Sequence, residues 1–120
     1  MKTVAVVDDN AANRLLVEAM LEDHYEVVGY PSGRAALEAF RHRKPDLVLL
    51  DISMAGLGGV QTLKRLRADG DLSCLPVIAL TARFDDDRAR YLAAGFDDYM
   101  TKPVNEEHLL EALSRWLDRD

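Results

Sequence analysis

The chain has 120 residues and a net charge of −6, with 48% apolar and 30% charged residues. That length carries one hydrophobic core, and the acidic balance argues against nucleic acid as a direct ligand, because phosphate binding draws on excess Lys and Arg. No apolar run nears the ~20 residues that span a bilayer and no signal-peptide pattern opens the chain, so a single domain over residues 1–120, no membrane association and a cytoplasmic location are expected.

In chain order, Thr3–Val7 reads as the first strand, continuously apolar from Val4 as a strand covered on both faces should be. Asn10 is the N-cap candidate for a first helix with an apolar stripe of Leu15, Leu16, Ala19 and Met20. Residues 25–30 form a more mixed second strand, placed near an edge, and Ser32 caps a second helix with Ala36, Leu37 and Phe40 inward. Pro45 precedes the third strand, residues 47–50. The Gly-rich stretch AGLGG, residues 55–59, lacks the Lys-Ser/Thr of a phosphate-cradling loop and reads as a flexible connection. Cys74, the lone cysteine, cannot close an internal disulfide, which fits a reducing compartment.

Pro76 precedes the fourth strand, residues 77–80, after which the run Asp85, Asp86, Asp87 caps a fourth helix that ends at Gly95. Asp97 and Asp98 read as a solvated turn before a weaker fifth strand, Asp98–Thr101. Asn105 caps a last helix whose stripe is Leu109, Leu110, Leu113, Trp116 and Leu117. Five βα units of this kind predict an α/β fold, a flavodoxin-like parallel doubly wound sheet of five strands in the order 2-1-3-4-5.

In such sheets ligands bind beyond the carboxyl ends of the strands, where the strand order reverses. The residues there are Asp8 and Asp9 in VAVVDDN, Asp51 in LVLLDIS, Thr81 in VIALTA, and Lys102 followed by Pro103 in YMTKP. One Asp after the first strand would serve as a turn or cap residue; the second asks for another explanation. Two carboxylates ~5 Å apart at an effective dielectric of ~20 repel by roughly 3 kcal/mol, so three need a proton, Lys102 or a metal to offset them. An all-oxygen site with few carboxylates suits Mg²⁺, with Mn²⁺ as the alternative ion. A carboxylate beside a metal, with a hydroxyl and an ammonium to hold oxygens, is suited to phosphoryl transfer.

These segments, together with AAGFDDYMTKP and their order from Val4 to Trp116, resemble the response-regulator receiver domains of two-component and phosphorelay signalling (CheY-like). The resemblance implies a signalling switch that catalyses only its own phosphorylation and dephosphorylation. It implies that Asp51 accepts a phosphoryl group from a phosphohistidine of a sensor histidine kinase or histidine phosphotransfer protein. Asp8, Asp9, Asp51 and the Ser53 backbone carbonyl would hold the metal, and Thr81 and Lys102 would bind phosphoryl oxygens. The Lys102–Pro103 bond would be cis, and Tyr99 would swing inward as Thr81 is drawn to the phosphate. The output would be a changed surface with Arg88, Tyr91 and Tyr99 as reachable contacts, read by a downstream target protein or output domain. The state implied is a monomer or a weak phosphorylation-dependent dimer.

The chain departs from the family pattern in Ala55, where Pro is common, and in Ser53 and Arg83, where members differ and dephosphorylation is tuned. His108 and Ala112 stand where winged-helix regulators typically have Glu and Arg, and DDNAANR is closer to receivers of hybrid kinases. The rival reading is a phosphatase or phosphotransferase of the haloacid-dehalogenase type, with an aspartyl-phosphate intermediate. It would want an Asp two residues after the nucleophile, where this chain has Ser53. A flavin carrier on the same sheet would want a hydroxyl-rich phosphate loop after the first strand, where this chain has carboxylates.

Overall fold

The computed structural model describes residues 1–54, 56–81 and 88–118, apart from the side chain of Arg88. Five parallel strands, β1 (Thr3–Val7), β2 (Glu26–Tyr30), β3 (Leu47–Asp51), β4 (Val77–Thr81) and β5 (Asp98–Thr101), lie in the order 2-1-3-4-5. Between and after them run α1 (Ala11–Leu21), α2 (Gly33–Phe40), α3 (Gly59–Ala68), α4 (Arg88–Ala94) and α5 (Glu106–Leu117). The apolar runs of β1, β3 and β4 are buried on both faces because helices cover each side. Val4, Val6, Leu47, Leu49, Ile78 and Leu80 pack against α1 and α5, while Ala5, Val7, Val48, Leu50, Val77 and Ala79 face α2, α3 and α4.

The caps at Asn10, Ser32 and Asn105 form, each side chain accepting the N–H of the third residue onward. Gly95 has φ +114, a left-handed conformation that favours glycine after α4. The expected caps and loop at Asp85, Asp86 and Asp87 lie outside the described residues, as do Ala55 and Arg83.

Three expectations need correction. The α1 stripe is rotated: Leu15 and Leu16 are 64% and 51% exposed, and Val17 and Leu21 face the core instead. The inward row starts at the polar, half-buried Asn13, so apolar periodicity alone chose the wrong face. Tyr91 is buried, edge-on to Phe96, and is core rather than a reachable contact. Asp97 and Asp98 are not a solvated turn. Asp97 accepts the Val77 N–H at 2.8 Å and the Arg67 guanidinium at 2.9 Å, and Asp98, the first residue of β5, receives the Trp116 indole N–H at 3.4 Å. At Gly59, the first residue of α3, a Cβ would stand 2.5 Å from the Asp51 carbonyl oxygen, so only glycine lets α3 begin against the end of β3.

Candidate functional site

The parallel register sets the site. Val7 pairs with Leu50 and Asp51 with Leu80, so β1, β3 and β4 deliver Asp8, Asp51 and Thr81 to one edge of the sheet. Asp51 and Thr81 are the last residues of their strands rather than loop residues, because the ladder runs on to the Ile52 N–H, which donates to the Leu80 carbonyl at 3.0 Å. Thr101 pairs with Thr81, and the Lys102 N–H donates to the Thr81 carbonyl at 2.7 Å, which anchors the backbone of Lys102 at the same edge. The Lys102–Pro103 bond is cis.

One carboxylate oxygen from each of Asp8, Asp9 and Asp51 lies within 4.8 Å of the other two. Asp8 and Asp51 are buried, while Asp9 is exposed. The Lys102 ammonium reaches across the crevice, 3.1 Å from Asp8 Oδ2 and 3.3 Å from Asp51 Oδ1. The Ser53 N–H donates to Asp51 Oδ1 at 3.2 Å. On the backbone side, the Arg14 Nη1 donates to the Asp8 carbonyl at 2.7 Å and the Asn10 N–H to Asp8 Oδ1 at 2.9 Å.

One lysine does not neutralise three carboxylates. Burial first, then the charge of Asp8, push the Asp51 carboxyl up to about 6 from its ordinary 3.8; Lys102 and the Ser53 N–H oppose this only in part. Burial alone would lower the Lys102 ammonium. Its bond to Asp8 and the charges of Asp51 and Asp8 outweigh that and raise it, so Lys102 stays cationic. The donor set is all oxygen and strongly anionic, a fit for a small hard divalent cation and a poor fit for thiolate- or imidazole-seeking metals.

Thr81 is 3% exposed, and Tyr99, half-buried on β5, has its ring centroid 6.1 Å from that of Tyr91. The structure therefore brings Asp8, Asp9, Asp51 and Lys102 together, with Thr81 at the adjoining strand end and Tyr99 on the α4 side of β5. Arg14 was missed in the sequence. Its one signal is a basic residue on α1 four positions after the Asn10 cap, close to an acidic pair.

A family model described as the response regulator receiver domain matches residues 4–114. The sensor protein GacS of Pseudomonas syringae pv. syringae is 42% identical over 118 residues, covering 94% of this chain but 13% of that protein. The protein PilH of Pseudomonas aeruginosa is 37% identical over 116 residues, covering 95% and 96% of the two chains. Among solved structures, the receiver domain of the Pseudomonas aeruginosa sensor histidine kinase PA1611, with a magnesium ion coordinated in its active-site cleft, superposes with a TM-score of 0.89. It shares 32% identity and covers 98% of each chain. With the acidic pocket of Asp8, Asp9 and Asp51 at the switch point of a 2-1-3-4-5 sheet, the chain belongs to the response regulator receiver domains, the phosphoacceptors of two-component signal transduction.

Proposed function

We propose that Asp51 is the phosphoacceptor, taking its phosphoryl group from a phosphohistidine of a sensor kinase or a histidine phosphotransfer protein. The single observation that carries this is the buried Asp51 carboxylate, held between Lys102 and two further aspartates at the mouth of the sheet. An Asp51 oxygen forms the new O–P bond as the P–N bond to the donor imidazole breaks, and the imidazole leaves with its electron pair and takes up a proton. Lys102 lies where its charge offsets that on the moving phosphoryl oxygens, and the Thr81 hydroxyl is the other candidate donor to them.

Asp8, Asp9, Asp51 and the Ser53 carbonyl are the residues proposed to hold Mg²⁺, or Mn²⁺ in its place. When bound, such an ion neutralises the carboxylates and polarises a phosphoryl oxygen. The donor chemistry and the magnesium named in the PA1611 receiver support this assignment. Afterwards the added charge draws Thr81 inward and Tyr99 follows, changing the surface of α4, β5 and α5 that a target protein or output domain reads. Residues 82–87, which follow Thr81 in the chain, lie outside the described residues. The reading places the chain in the cytoplasm as one receiver unit, monomeric or weakly dimerising on phosphorylation. No described helix is long and apolar enough to cross a membrane.

Ser53 in place of a second acid supports this reading over the haloacid-dehalogenase type. Incubation with a small phosphodonor and Mg²⁺ should add one hydroxylamine-labile phosphoryl group at Asp51, lost in Asp51→Asn. A modified peptide mapping to Ser, Thr or His would overturn the assignment.

A further inference from the structure

Asp8 is gripped from every side. Its N–H donates to the Tyr30 carbonyl at 3.1 Å, Oδ1 accepts the Asn10 N–H, Oδ2 accepts the Lys102 ammonium, and the backbone carbonyl accepts Arg14 Nη1. Three of these partners come from β2, the turn after β1 and the end of β5: a strand neighbour, a turn N–H and the lysine. The fourth is specific to α1. The carboxylates attract a guanidinium, but by charge alone it competes with the cation the pocket is proposed to bind.

The packing shows how Arg14 gets there. Arg14 is half-buried, and its Cδ lies 3.4 Å from where a Cβ on Gly29 of β2 would stand; the Glu18 carboxylate lies closer still. Gly29 pairs with Val6, one residue short of the strand end. The space a side chain would fill on β2 is taken first by the Glu18 carboxylate, with the Arg14 stem in ordinary contact beside it and its head on the Asp8 carbonyl. Among the described residues Arg14 forms no ion pair; its hydrogen bond goes to that carbonyl.

We infer that Arg14 is a positioning residue for the metal site, fixing the Asp8 peptide so that its carboxylate is held toward Asp9 and Asp51. The inference rests on the proposed metal role of Asp8. Groups that orient metal ligands typically change affinity by about 10–100-fold when removed. Positioning and electrostatics then predict opposite signs. Deleting a cation near the site should tighten Mg²⁺ binding if charge is all that matters, and should weaken it if orientation matters.

The test is calorimetric titration of Mg²⁺ into the parent, Arg14→Ala, Arg14→Lys and Gly29→Ala, with the carbonyl ¹³C shift of Asp8 recorded in metal-free protein. Arg14→Ala should weaken Mg²⁺ binding about 10-fold and move the Asp8 carbonyl shift. Arg14→Lys, which keeps the charge but not the planar fork, should restore part of the affinity. Gly29→Ala, whose Cβ would displace the end of Glu18 and meet the Arg14 stem only at contact distance, keeps the bond to Asp8 and should bind Mg²⁺ as the parent does. If the parent binds Mg²⁺ and Arg14→Ala binds it equally or more tightly, the inference is overturned while the metal site stands. A parent that binds no Mg²⁺ overturns both.

Discussion

Replacing Asp51 by Asn should stabilise the metal-free protein, although it destroys the proposed phosphoacceptor. The rise of the Asp51 carboxyl from 3.8 to about 6 means that folding disfavours its ionised form by roughly 3 kcal/mol at neutral pH. Because the folded value lies above the ordinary one, the folded state holds the proton more firmly. The penalty therefore builds as pH rises from about 4 to about 6 and is complete above that. Asn removes the charge, and the figure is already net of what the Lys102 ammonium, 3.3 Å away, gives back to the carboxylate. Lys102 keeps Asp8 as a partner. The gain is therefore up to about 3 kcal/mol, or a Tm roughly 10–15 °C higher for a domain of this size. Melting curves followed by circular dichroism in EDTA, at pH 5 and pH 7.5, measure it: the advantage of Asp51→Asn should be clear at pH 7.5 and shrink at pH 5. With Mg²⁺ at 100 times its Kd the parent should gain about 2.7 kcal/mol and the variant much less. An Asp51→Asn protein that melts at or below the parent in EDTA at pH 7.5, or an advantage independent of pH, would refute the reasoning.

Arg67 joins three segments at the opposite end of the sheet, donating to the carbonyls of Ser73, Leu75 and Gly95 and to the Asp97 carboxylate. Arg67→Ala leaves these half-buried acceptors unmatched and should cost about 3 kcal/mol in urea denaturation, with Asp51 still modified by a phosphodonor. For the output surface, amide shifts with and without a phosphate mimic should change around Thr81 and Tyr99. Large shifts confined to Asn13, Leu15 and Leu16 would mean that α1 carries the signal instead.

The order of apolar runs and helical stripes was enough to specify five βα units, and the residues at the strand ends were enough to nominate the pocket. Both are local properties: a strand buried on two faces must be apolar throughout, and a carboxylate cluster is costly unless it has a use. The register brought Asp8 and Asp51 each within ion-pairing distance of Lys102. No local signal encodes that spacing, which depends on which strands are neighbours. Nor could periodicity show that α1 turns Val17 and Leu21 inward and leaves Leu15 and Leu16 in solvent. The inward row includes polar Asn13, and the helix's rotation is set by its cap and by the crevice it borders. Tyr91 and Asp97 were misjudged for the same reason. An aromatic on a short helix and an acid before a strand look exposed until the tertiary structure supplies Phe96 and Tyr99 around one, and Arg67 and the Val77 N–H for the other. What the sequence determined by itself was the chemistry at the strand ends. Which side chains share it, and Arg14's reach to the Asp8 carbonyl, were decided only when β2 came to lie beside β1 under α1.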